Sequence, residues 1–63
     1  MKLPKGQKLW ETFRDENGRV TWAIASDPAR TIYILYKVYG EEVKKIRTAS
    51  SPKGFEKEVG MRV

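Results

Sequence analysis

The stretch LWETFRDENGRVTWAI, from Leu9 to Ile24, decides the fold, because two runs of alternating apolar residues flank Asn17-Gly18. Alternation with a period of two marks half-buried strands. Asn-Gly is the dipeptide best suited to a tight hairpin turn, since both residues tolerate positive φ. The sequence therefore predicts strands from about Lys8 to Arg14 and Arg19 to Ser26, joined by a two-residue type I′ turn. In that register Phe13 faces Trp22 and Glu11 faces Ile24, and Leu9, Phe13, Val20, Trp22 and Ile24 share one side. A three-residue loop would oppose Phe13 to Thr21 and split that set, so the hydrophobic face specifies the register. Trp10, Thr12, Arg14, Arg19, Thr21, Ala23 and Ala25 fall on the other side, expected to be mostly wet.

Beyond this hairpin, Asp27-Pro28-Ala29-Arg30 reads as a turn, with Asp27 able to accept hydrogen bonds from the backbone ahead of it. A helix capped by Asp27 is the competing reading. It is set aside because Thr31 to Tyr39 is almost entirely β-branched or aromatic. This third strand is apolar on both faces, with Ile32, Ile34, Tyr36 and Val38 on one and Tyr33, Leu35 and Tyr39 on the other, as a central strand requires. Gly40-Glu41 can form a two-residue type II′ turn that returns Glu42 to Thr48 alongside, pairing Val43 with Val38 and Ile46 with Leu35. A short helix over the same residues is the alternative, since Glu41 and Glu42 precede Lys44, Lys45 and Arg47 in the order a helix dipole favours. Ser51 and Pro52 form a helix entry, with Phe55 and Val59 on one face and Gly60 as its end. Val59, Met61 and Val63 also alternate, so an edge strand at the C-terminus competes with that ending.

The fold class is therefore α+β: an antiparallel meander of three or four strands with a short C-terminal helix. Residues 1 to 7, with Pro4, Gly6 and two further lysines, read as a flexible basic N-terminal arm. Residues 8 to 63 form a single small β-rich domain. A chain of 63 residues buries only about 60% of the surface exposed when unfolded. It has no Cys and no His, so neither a disulfide nor the usual zinc ligands can staple it, and packing or a homodimer partner must supply stability. No apolar run reaches the ~20 residues of a membrane span. No apolar segment of the secretory type follows Met1, so a cytoplasmic location is expected.

The missing His and Cys also remove the commonest general base, the commonest metal ligand and the strongest nucleophile. Glu41-Glu42 and Glu56/Glu58 are spaced so that their carboxylates diverge on a strand or a helix. The chain is accordingly read as a binding module and not an enzyme, with no cofactor and no metal.

A formal charge of +5 and a pI near 9.8 favour polyanionic partners. The densest basic cluster is Lys44, Lys45 and Arg47. The Gly40-Glu41 hairpin adds Lys37, opposite Lys44, where like charges facing each other are unfavourable unless a polyanion or solvent takes them up. The other reading of these cations is an edge strand guarded against aggregation. Trp10, Tyr33 and Tyr39 are the aromatics least easily assigned to the core, and aromatics beside Lys and Arg make stacking platforms for bases. If the C-terminal helix covers their face, Trp10 and Tyr33 become core instead. The leading expectation is a nucleic-acid-binding module using Lys37, Lys44, Lys45, Arg47, Trp10, Tyr33 and Tyr39. The rival is a small protein-interaction module, such as a phage or mobile-element inhibitor, that binds an acidic host-protein partner through the aromatics.

Overall fold

A computed structural model describes residues 2 to 60. Four strands, β1 (Lys8–Arg14), β2 (Val20–Ser26), β3 (Tyr33–Tyr39) and β4 (Glu42–Ala49), form one antiparallel sheet in the order β1-β2-β3-β4. A 3₁₀ turn over Pro52–Phe55 runs into the single-turn helix α1 (Glu56–Val59). The α+β meander with a short C-terminal helix is the architecture read from the sequence. Glu42 to Ala49 is strand and not helix. The alternation at Met61 and Val63 lies outside the described residues.

The first hairpin reaches the expected register by an unexpected route. Gly18 N donates to Asp15 O at 3.0 Å and Asp15 N to Arg19 O at 2.9 Å, so the loop holds Glu16, Asn17 and Gly18. Gly18 sits at φ 81°, while Asn17 is not at positive φ. This is the pattern of a turn followed by a left-handed glycine, and it replaces the type I′ turn expected at Asn17-Gly18. The Asp15 carboxylate supports it by accepting from Asn17 N and Arg19 N, both at 2.9 Å. A three-residue loop should displace Phe13 from Trp22, yet the two remain paired because a β-bulge at Thr21 absorbs the extra residue. That bulge has a cost for the expected pattern: Val20 pairs with Arg14 and packs with the cluster on the opposite side of the sheet from Phe13.

A second bulge, at Trp10, and a third, at Ile46, make the same kind of correction. Leu9 pairs with Ala25 while Glu11 pairs with Ile24, leaving Trp10 as the inserted residue. Trp10 therefore joins the Phe13 side and Leu9 leaves it, 49% exposed. Tyr36 pairs with Lys45 and Leu35 with Arg47, so Ile46 does not face Leu35 as the plain hairpin register predicts and is 41% exposed. An inserted residue breaks the period of two locally, re-aims its neighbours and increases the strand's twist.

Two clusters result, one on each face. Phe13, Ile24, Leu35, Phe55 and Val59 are buried together, with Trp10, Trp22, Tyr33 and Ala49 packed around them. Ser51 caps the 3₁₀ turn by accepting from Lys53 N at 3.3 Å, and Gly60 at φ 73° closes α1 through its N–H to Glu56 O. Phe55 and Val59 are thereby held on the sheet, as their spacing predicts. On the reverse face Ala23, Ala25, Ile34, Tyr36 and Val38 are buried, with Leu3, Val20 and Val43 against them. That face was expected to be mostly wet. The basic arm supplies part of its cover through Leu3, and Tyr36 Oη donates to Gln7 Oε1 at 2.5 Å.

Between β2 and β3, Arg30 N donates to Asp27 O at 3.0 Å, and Arg30 takes a left-handed φ of 57°. The Asp27 carboxylate accepts from Thr31 N, Thr31 Oγ1 and Ile32 N, which confirms the turn over the helix. Its pKa is held below the ordinary value, first by the Thr31 hydroxyl and then by the backbone N–H of Ile32. This loop delays β3 to Tyr33 and leaves Ile32 half-exposed.

Candidate nucleic-acid interface

Paired residues on neighbouring antiparallel strands point to the same side of a sheet, so the ladders assign each candidate to a face. Phe13, Trp22, Lys37 and Lys44 form one continuous row across all four strands. Phe13 anchors this row in the buried cluster beneath α1, and the other end of the row lies on β4, an edge strand. Lys37 Nζ lies 4.4 Å from the centroid of the Trp22 ring. Such a contact is worth about 0.5–1 kcal/mol at an exposed site. It fixes the cation over an aromatic face while Lys44 stands directly opposite across the ladder. Neither lysine has a carboxylate partner among the described residues.

Tyr39 follows Lys37 by two residues and so shares its side of β3. It is the most exposed large apolar residue among the described residues, at 59%. Glu42 stands opposite it across the Gly40-Glu41 turn, where Gly40 adopts φ 65° as the first residue of a two-residue loop requires. Trp22, Lys37, Lys44 and Tyr39 are thus brought together.

Lys45 and Arg47 are separated from that group and from each other. Lys45 pairs with Tyr36, which places it on the reverse face. Arg47 pairs with Leu35 on the helix-bearing face, where Nε and Nη2 donate to the Glu58 carboxylate and Nη2 also to Gly54 O. Its guanidinium carbon stands 5.0 Å from the Phe55 ring centroid. The hydrogen bond from Arg47 holds the Glu58 carboxyl below its ordinary pKa, and the same contact raises that of Arg47. Arg47 therefore clamps α1 to β4. Trp10 and Tyr33 meet edge to face, with centroids 5.9 Å apart and planes at 83°, and both are partly buried against the Phe55 cluster.

Trp22 is the member of the group that the hairpin pattern places on the hydrophobic face with Phe13, without marking it as a site residue. Its place beside Lys37 depends on the β2–β3 register, which the turn residues Asp27-Pro28-Ala29-Arg30 do not by themselves specify. Among the described residues there is no group of three or more His, Cys, Asp or Glu able to hold a metal ion, and no helix is long and apolar enough to cross a membrane. Comparison of the chain with protein-family models, with curated proteins and with solved structures finds no match.

Proposed function

We propose that this chain is a small nucleic-acid-binding module that contacts backbone phosphates through Lys37 and Lys44 and stacks bases on Trp22 and Tyr39. The observation that carries this reading is the row Trp22–Lys37–Lys44, in which two lysines without carboxylate partners among the described residues face each other across a ladder beside an aromatic ring. A bound phosphate would relieve the repulsion that the fold tolerates there, and the net charge of +5 would steer a polyanion toward it. Lys45 adds charge from the reverse face. Trp10 and Tyr33 support the surface through the core, and Arg47 supports it through α1.

The test is titration of labelled duplex and single-stranded nucleic acid at about 50 and 200 mM salt, where each neutralised phosphate steepens the log–log slope by about 0.9 on duplex and 0.7 on single strands. Binding that weakens with salt and is lost in the Lys37→Ala/Lys44→Ala variant, with the fold retained, is the expected result. Absence of binding at low salt overturns the reading. It would turn attention to an acidic protein partner, for which half-exposed Leu9 and Ile32 and exposed Tyr39 offer apolar contacts.

A further inference from the structure

The ladder between β2 and β3 stops at Trp22–Lys37, although β2 begins two residues earlier at Val20 and β3 continues to Tyr39. The strands part where the Thr21 bulge twists β2 away, and a cleft of about 680 Å³ opens between the two hairpin ends. Val20 and Val38 belong to the reverse-face cluster and give the cleft an apolar floor. Arg14 and Arg19, from the two sides of the first hairpin loop, line it together with Asp15, Gly18, Thr21 and Gly40.

The polar groups of this lining are unevenly occupied. One Asp15 carboxylate oxygen is turned into its own loop, accepting from Asn17 N and Arg19 N. The Thr21 hydroxyl donates to Phe13 O at 3.4 Å. Arg14 Nη1 donates to Gly18 O at 2.8 Å, which aims the guanidinium along the loop. A guanidinium carries five N–H donors in a fixed fork, so most of those of Arg14 remain. Neither arginine has a carboxylate ion-pair partner among the described residues.

We infer that the cleft is a binding site for a small phosphate-bearing ligand of mononucleotide size, its planar apolar body on Val20 and Val38 and its phosphate on Arg14 and Arg19. The volume falls within the roughly 300–1,000 Å³ of small-molecule pockets, which pair apolar walls with a few polar anchors. Paired arginines match a phosphate's geometry with bidentate hydrogen bonds where lysines offer only point charges. The site shares no residue with the Trp22–Lys37–Lys44–Tyr39 surface and stands or falls independently of it.

The test titrates isotopically labelled protein with adenosine monophosphate, adenosine and inorganic phosphate, reading the amide signals. Saturable shifts at Gly18, Arg19, Val20, Thr21, Val38 and Gly40 with adenosine monophosphate are expected, with adenosine weaker by about tenfold because the charge-assisted bonds are lost. Arg19→Ala, whose side chain makes no hydrogen bond in the hairpin, should weaken binding several-fold. Arg14→Lys, which keeps a cation but not the fork, should do the same. The Lys37→Ala/Lys44→Ala variant should bind adenosine monophosphate normally, which separates this site from the nucleic-acid surface. Shifts that do not saturate, that spread over all basic residues, or that persist unchanged in both arginine variants would overturn the assignment.

Discussion

Leu35–Arg47 and Lys37–Lys44 are neighbouring cross-strand pairs on the same two strands and the same face, yet their cations meet opposite fates. Arg47 lies beneath the helical segment and is neutralised by Glu58 and by the Gly54 carbonyl. Lys37 and Lys44 have no carboxylate partner among the described residues, and the compensation for Lys37 is the Trp22 ring. The bulge at Ile46 creates this division. In an unbroken ladder Ile46 would face Leu35, and Arg47 would be turned to the reverse side, away from Glu58. One inserted residue thus sets a structural cation, Arg47, apart from Lys44, which faces Lys37 across the ladder.

The comparison breaks most completely if the helical segment is removed from the sheet. Phe55 is fully buried and is the main side chain through which that segment holds the sheet. Phe55→Ala should cost about 3–5 kcal/mol, the range for large aromatic truncations. Folded domains have only ~5–15 kcal/mol in total, so much of this chain should be unfolded in the variant. Urea denaturation followed by Trp fluorescence measures the loss. A cost below 1 kcal/mol would mean that the sheet stands without the helix and that Arg47 needs no clamp.

A gentler change tests the other pair. Lys44→Glu places opposite charges across the ladder where like charges now stand, and should stabilise the sheet by about 0.2–1 kcal/mol. For a domain of this size each kcal/mol moves Tm by roughly 4–8 °C, so a rise of a few degrees is expected by calorimetry. The same variant should lower nucleic-acid affinity by at least tenfold on the proposed reading. Greater stability with lost binding would mark the lysine pair as retained for a partner. Unchanged stability would show that solvent already disperses the repulsion.

These pairs were legible in the sequence to different depths. Gly40-Glu41 set Lys37 opposite Lys44 because a two-residue loop leaves one register open to it. The Ser51-Pro52 entry placed Phe55 and Val59 on the sheet for similar local reasons. Arg47 was not legible, because nothing in Lys44-Lys45-Ile46-Arg47 announces a bulge: the residues that flank it suit either an interrupted or an unbroken strand. Trp10 packs with Tyr33 beneath the helical segment, the alternative the sequence left open, but the inserted residue that turns it there was not legible. In the first hairpin the loop is one residue longer than Asn17-Gly18 predicts, and the Thr21 bulge restores the expected pairing. The outcome there was set by burial of Phe13 and Trp22 and not by the turn. The splayed cleft was invisible, since it follows from where the β2–β3 ladder ends.

The finest test of the division lies in its response to acid. The hydrogen bond from Arg47 keeps the Glu58 carboxyl below its ordinary value of 4.5, so the ionised form is favoured in the folded chain. A carboxyl depressed on folding contributes stability that is fully present above its unfolded pKa and disappears as pH falls through the folded one. The Arg47–Glu58 contribution is thus whole at neutral pH and fades below the ordinary carboxylate range. Asp27, lowered by the Thr31 hydroxyl, fades in the same direction and contributes its own part of the acid slope. Glu58→Gln should therefore flatten the fall of Tm below the ordinary carboxylate range without abolishing it, because Asp27 keeps its own part of the slope. A variant with the parental acid slope would show that Arg47 holds the helix through Gly54 and Phe55 alone.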